Sequence, residues 1–290
     1  MRPVRYSSVM LLMASALGSA VSWADDSPFD FDGEVTAAHD DNVNRASKED
    51  EIRKDSFVGA AFNMRYGHDV SSNSGMLYSI KTAANAFSEF DKLNEFTVAG
   101  EVKYIIRPGR AFTSSTYNIS AFAKERFSSS VIRDSTTLGA TVQLAKSLTD
   151  VMRLDTGIGY TEEEAEGEVF DLSRWRIFAN VDTLLTARWA VFLTYVYVDG
   201  DVVSTSSADI VIGRVADAIE PDDAFGGVAT NQFAYRIDAV SHLATLGINY
   251  KINHHSSIDL SARYLNSTAK EESALSYDDV LLRAGYLFAF

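Results

Sequence analysis

Residues 278–290 read DDVLLRAGYLFAF. Side chains alternate faces along a β-strand, so Val280, Leu282, Ala284, Tyr286, Phe288 and Phe290 share one side. Leu281, Arg283, Gly285, Leu287 and Ala289 share the other. A strand wholly apolar on one side, with an arginine and a glycine on its reverse and aromatics at its end, suits a position with lipid outside and a polar lumen inside. This pattern decides the fold class, because the same alternation returns along the chain.

Twelve strands are expected, within a range of ten to fourteen, forming an all-β, antiparallel, up-and-down transmembrane barrel. They fall at Phe29–Ala38 and at about 56–66, 76–86, 95–106, 113–126, 136–145, 151–161, 174–185, 189–199, 242–252, 257–265 and 278–290. Val58, Ala60, Phe62 and Met64, for example, stand opposite Asn63 and Arg65. The connections alternate between long or charged (39–55, 87–94, 127–135, 162–173, 200–241, 266–277) and mostly short (67–75, 107–112, 146–150, 186–188, 253–256). Barrels of the outer membrane have long outer loops, short periplasmic turns and an even strand number, and this parity fits. Tyr66, Tyr104, Trp189, Tyr250 and Phe290 fall at one end of their strands, and Tyr160, Trp175 and Tyr264 at the other, as two interfacial girdles require. Within 200–241, Ile210–Ile212 and Phe233–Val240 are expected to add a hairpin or to lengthen the flanking strands.

The terminal strand resembles the C-terminal signal of bacterial outer-membrane β-barrels in Arg283, Gly285, Phe288 and Phe290. That resemblance implies recognition by the barrel-assembly machinery. The last two hairpins, LGINYKINHHSSIDLSARYL and YDDVLLRAGYLFAF, look like a broad group of outer-membrane β-barrel proteins, some of them linked to exopolysaccharide loci.

Residues 1–24 have the composition of an export signal: Arg2 and Arg5, an apolar centre from Val9 to Ala20, and Ser22-Trp23-Ala24 as a small-x-small cleavage site. The apolar run is too short to span the ~30 Å hydrocarbon core as a helix. Residues 25–290 are then expected to be the barrel alone, with no plug or periplasmic domain, in the outer membrane of a Gram-negative cell. The 290-residue chain carries 26 basic and 40 acidic residues, a formal charge of −14, and no cysteine. Disulfides and thiolate chemistry are excluded, and a nucleic-acid partner would need a basic face. The lipid bilayer, lipopolysaccharide and a small polar solute are the partners expected.

Alternation assigns Arg65, Lys81, Lys103, Lys124, Arg126, Arg153, Arg174, Arg176, Lys251, Arg263 and Arg283 to the lumen. Against these eleven it assigns seven acids: Asp30, Asp32, Glu34, Glu101, Asp155, Asp182 and Asp259. Such a lumen would favour anions. In strand number and basic lumen the chain resembles the small porins that pass acidic oligosaccharides. The residues therefore point to a channel. Two alternatives are a structural or assembly barrel serving an envelope or polysaccharide-export system, and an outer-membrane hydrolase. Ser241-His242 and His39 with Asp40 and Asp41 are the hydrolase candidates, but neighbours on a strand such as Ser241 and His242 point to opposite faces, and the His39 group needs further carboxylates from distant loops, so no enzyme is expected. Asp40, Asn42, Asn44 and Glu51 match positions 1, 3, 5 and 12 of a calcium loop, with Arg45 where that loop needs glycine. Ca2+ is the one cofactor suggested. The run Glu162, Glu163, Glu164, Glu166, Glu168 reads as a solvated loop tip sharing divalent cations with the outer leaflet.

Overall fold

A computed structural model describes residues 29–109, 111 and 114–290. The expected export signal lies outside the described residues. Thirteen strands form one antiparallel sheet: β1 (Phe29–Asp40), β2 (Asp55–Ser71), β3 (Ser74–Phe87), β4 (Glu95–Ile106), β5 (Thr116–Ser128), β6 (Ser135–Ser147), β7 (Met152–Ala165), β8 (Leu172–Leu184), β9 (Trp189–Ser207), β10 (Ala216–Pro221), β11 (Gln232–Lys251), β12 (Ser256–Ala269) and β13 (Ser276–Ala289). Twelve of them close a ring. β1 pairs with β13 from Asp32↔Ala289 to Asp40↔Leu281, and β9 pairs directly with β11 from Gln232↔Ser207 to Tyr250↔Trp189. The thirteenth, β10, is a short strand beside the far end of β11. The fold is an all-β, twelve-stranded, antiparallel closed barrel.

Closure satisfies the backbone donors and acceptors that an open sheet edge would leave bare in lipid. Exposure alternates along the strands as the sequence does. Val58, Leu138, Ile177, Leu246 and Leu282 are each more than half exposed, while Glu34, Asp155, Glu163 and Asp279 are buried. The apolar side of each strand is therefore the barrel's exterior, and the charges are gathered within. Trp189 stacks on Tyr250 at 4.5 Å and Tyr66 on Phe29 at 5.0 Å near the short turns, and Tyr160 on Trp175 at 4.9 Å near the long loops.

β9 and β11 run to Ser207 and back from Gln232, eight and ten residues beyond 199 and 242, so Phe233–Val240 lengthens a flanking strand as expected, whereas Ile210–Ile212 leads into a short helix, Ile212–Val215. Gly200 marks the place: its φ is +136°, and a Cβ there would press on the Ser173 carbonyl and Arg174 Cα of β8. Above it Val202, Val203, Ser204, Thr205 and Ser206 are all buried, so the two-residue alternation disappears. A strand with both faces covered carries no period to read. Two further corrections follow from the sheet. The fifth strand starts at Thr116, and β7 extends to Ala165, which places Glu163 inside a strand rather than at a loop tip.

Candidate functional site: the barrel interior and its capped mouth

Charged residues two apart on one strand, or diagonal across two, lie on the same face and find each other. Arg153 Nε donates to Asp155 Oδ2 at 2.8 Å, and Lys103 stands 3.4 Å from Glu101. Arg65 pairs with Asp32 at 2.6 Å, Arg263 with Asp279 at 3.0 Å, and Arg283 with Glu34. The densest group surrounds Glu163, which is 4% exposed: Arg126 binds one oxygen, Arg174 Nη2 donates to the other at 2.9 Å, and Ser135 Oγ donates at 2.8 Å.

Among the described residues, Lys81, Lys124 and Arg176 have no carboxylate within 4.0 Å. Arg176 donates to Thr141 Oγ1 at 3.1 Å and lies over the Phe178 ring at 5.8 Å, and its Nε has no hydrogen-bond acceptor. Lys124 and Arg176 are electrostatic neighbours of the Arg126–Arg174 pair. The basic residues on β5 and β8 thus form one wall patch, with Glu163, Glu95 and Glu101 as its nearby acids. Lys251 sits apart, exposed at the last position of β11.

The balance of charge differs from the sequence tally. Asp40, Asp55, Glu95, Glu163 and Asp279 are also buried on the inner side, adding five acids to the seven assigned by alternation. Glu95 shares the strand parity of Thr97, so its position was available from the sequence, whereas Glu163 lies past the expected end of its strand. Asp55 lies one residue before its expected strand and gathers the next loop, accepting from the N–H groups of Ser88, Glu89 and Phe90 at 3.2, 3.1 and 3.0 Å. The interior is a mixed lattice with local basic and acidic faces.

Three inward phenylalanines lie flat on the wall. Phe122, Phe178 and Phe192 cover Gly139, Gly157 and Gly247 of the neighbouring strands, where a Cβ would collide with each ring. Glycine there lets a large side chain stay out of the bore.

The long-loop end is spanned. Beyond Gly200 the β9–β11 hairpin leaves the wall, and residues 208–231 cross to the β3–β4 loop, six strands away round the ring. Lys92 Nζ donates to Asp223 Oδ2 at 2.7 Å, Phe225 packs on Phe90 at 4.9 Å, and Leu93 is buried with them. Asp222, 0% exposed, accepts from Arg133 Nη2 and Thr205 Oγ1, both at 2.6 Å. Arg133 in turn lies 4.4 Å over the Phe170 ring. On the near side Lys48 Nζ donates to Asp209 at 2.6 Å, and Glu51 accepts from Ser207 N and Oγ at 2.8 and 2.6 Å. The sequence offers 200–241 as a long connection able to constrict the channel, but not its anchors, because they are on four other loops.

Acid should loosen the cap. Burial pushes the Asp223 carboxyl up, but the hydrogen bonds from Lys92 and Ser130 outweigh it and hold the group below the ordinary aspartate value of 3.8. The Lys48 ammonium does the same for Asp209. A carboxyl depressed by folding stabilises the folded form above its ordinary pKa, and the contribution fades as pH falls through the depressed one. Pepsin cleavage within 208–231 should therefore accelerate below about pH 3 relative to about pH 5, beyond the change seen on an unfolded reference substrate. Equal protection at both would show that these contacts do not hold the cap.

The calcium-loop spacing draws its four side chains to different partners. Asn42 Nδ2 donates to the carbonyls of Ala46 and Asp278 at 3.0 and 2.8 Å, and its Oδ1 accepts from Ala46 N at 2.9 Å. Asn44 joins Glu51 O and Thr205 O while accepting from Arg53 N, Glu51 turns to Ser207, and Asp40 turns to Asp41 and Asp279. Ser241 is buried against Ser267, while His242 is on the exterior with Tyr195 Oη 2.7 Å from its Nδ1. His39 Nδ1 meets Ser56 Oγ at 2.9 Å. In the terminal strand Glu34 Oε1 lies over Gly285, 2.8 Å from where a Cβ would stand. Phe288 lies on Gly33 and edge-on to Phe290 at 5.4 Å.

No protein-family model matches the sequence, and no curated protein matches it. Solved structures do. The fold is similar to that of an outer-membrane channel from Pseudomonas putida F1, with a TM-score of 0.57 at 8% identity over 93% of this chain and 98% of that one. NanC porin gives a TM-score of 0.48 at 11% identity over 88% and 98% of the two chains. KdgM porin in complex with disordered oligogalacturonate gives 0.41 at 9% identity over 89% and 99%. The first of these likenesses shows the fold alone, that of a closed antiparallel β-barrel.

Proposed function

We propose that this chain is an outer-membrane channel for small polar solutes, with anions preferred, and not an enzyme. The observation that carries the reading is the β5–β8 wall patch. There Lys124 and Arg176 have no carboxylate within 4.0 Å among the described residues, while Arg126 and Arg174 share the single carboxylate of Glu163. Basic side chains beside a water-filled path raise the local concentration of anions. The three phenylalanines held flat on glycine support an open bore. In this reading the long-loop end faces outward among lipopolysaccharide, and Arg283, Gly285, Phe288 and Phe290 present the strand read by the assembly machinery. The opposite faces of Ser241 and His242 support the absence of a hydrolase.

Planar-bilayer recording tests the proposal. The barrel should conduct, and in a salt gradient its reversal potential should lie on the anion side. The double variant Lys124→Gln, Arg176→Gln should move that potential toward the cation value. A correctly folded barrel that never conducts, even with its cap removed, would overturn the channel reading. The cap itself, with Asp222 wholly enclosed, favours a second reading, a structural barrel within an envelope or polysaccharide-export assembly.

A further inference from the structure

The loop after β1 makes a tight turn, in which Arg45 N donates to Asn42 O and Ala46 N to Asn42 Oδ1, both at 2.9 Å. The extended end of β9 holds that turn. Thr205 N donates to Asn44 O at 2.8 Å, Asn44 Nδ2 to Thr205 O at 2.9 Å, and Ser204 Oγ to Arg45 O at 2.7 Å. Arg45 has a φ of +54°, in the left-handed region that a bulky L-residue keeps only where its surroundings over-determine it. The sequence-derived calcium loop asks for glycine at this position. The sharp turn is therefore made, but with a long cationic side chain on it.

The direction of that side chain is the second observation. Its guanidinium has Tyr277, Asp279 and Asp40, on β13 and β1, as electrostatic neighbours, and also Glu163 and Arg174, on β7 and β8. β7 stands six places round the ring from β1, so a group that feels both walls lies in the bore between them. Acids on opposite sides pull it in opposite directions, which keeps it off either wall. Among the described residues Arg45 has no carboxylate within 4.0 Å and no side-chain hydrogen bond, and its nitrogens stay in contact with solvent. It also heads a series. Arg174 is its neighbour, Arg126 and Lys124 are neighbours of Arg174, and Arg176 follows two residues deeper on β8.

We infer that Arg45 is a specificity-determining residue of the channel proposed above, a cation held in the long-loop mouth that draws entering anions toward the β5–β8 wall patch. The inference rests on that channel reading. A guanidinium suspended in the path acts on passing ions at closer range than a wall charge already shared with Glu163, and it repels cations as it draws anions.

Planar-bilayer recording of the full barrel in a KCl gradient tests it. Arg45→Gly suits the left-handed backbone, so the turn and the barrel should persist while the chloride-to-potassium permeability ratio falls roughly twofold or more. Arg45→Gln should lower it similarly, and Arg45→Lys, which keeps the charge, should restore most of it. Arg53→Gln removes an exposed cation from the same loop and should leave the ratio unchanged, because solvent screens it. A reduced denaturation midpoint with an unchanged ratio in Arg45→Gln would make the residue a counter-ion for the buried acids and overturn the inference. A ratio lowered as far by Arg45→Lys would assign the effect to shape and overturn it too. A conducting barrel indifferent to Arg45 removes this inference and leaves the channel reading standing. A folded barrel that stays silent even with residues 208–231 removed ends both.

Discussion

Replacing residues 208–231 with a two-residue turn, so that Ser207 leads directly to its partner Gln232, should raise single-channel conductance several-fold. The bypass retains the β9–β11 pairing from Gln232↔Ser207 to Tyr250↔Trp189, so the ring should persist. What it removes is the crossing chain and its far anchors, Asp223 on Lys92 and Phe225 on Phe90 and Leu93. Resistance depends on the narrowest part of the path, and a folded segment reaching halfway round the ring supplies one. Gel mobility before and after heating would verify the barrel, and planar-bilayer steps would give the conductance. An unchanged step size in a folded variant would mean that the cap lies beside the path rather than across it.

The second large effect is expected at Glu163. Its carboxylate, 4% exposed, is shared by Arg126 and Arg174 and bonded by Ser135. Glu163→Gln preserves the shape and removes the charge, leaving two enclosed guanidinium groups facing each other. Breaking a buried pair in this way costs about 3–5 kcal/mol, mostly from the uncompensated charge left behind. The denaturant midpoint in detergent should fall accordingly. Reversal potentials should at the same time shift further toward anions, since the wall patch gains a positive charge. A fall well under about 1 kcal/mol would show that water already compensates the arginines. The divergence of the two readouts separates this residue from a merely structural one, whose loss would lower stability without moving selectivity.

How much of this the sequence disclosed depended on whether one face of a segment met lipid. β4 was legible to the residue, Glu95–Ile106, because Phe96, Val98 and Val102 face out along its length and Arg107-Pro108-Gly109 ends it. β9 was legible only to Asp199, one residue before Gly200, where the hairpin becomes buried on both sides. Ion pairs on one strand, such as Arg153 with Asp155, follow from spacing of two. The Glu163 cluster does not, since it joins β5, β6, β7 and β8, and its acid was hidden in a run of glutamates that reads as a loop. The cap's anchors were beyond reach for a related reason. Lys92 and Asp223 are 131 residues apart, and no local pattern ties a loop to the one opposite.

The direct pairing of β1 with β13 has a consequence for biogenesis. Arg283 binds Glu34 at a sequence separation of 249, so the final pairing waits until every other strand has been delivered. A polypeptide halted before Ser276 would present two bare edges, β1 and β12, each able to recruit a strand from another copy. Loop-closure entropy makes such distant contacts slow to form unaided. The last hairpin therefore acts as the zip fastener's slider: until it is drawn across, the molecule is an adhesive ribbon, and afterwards the ring has no edge to offer.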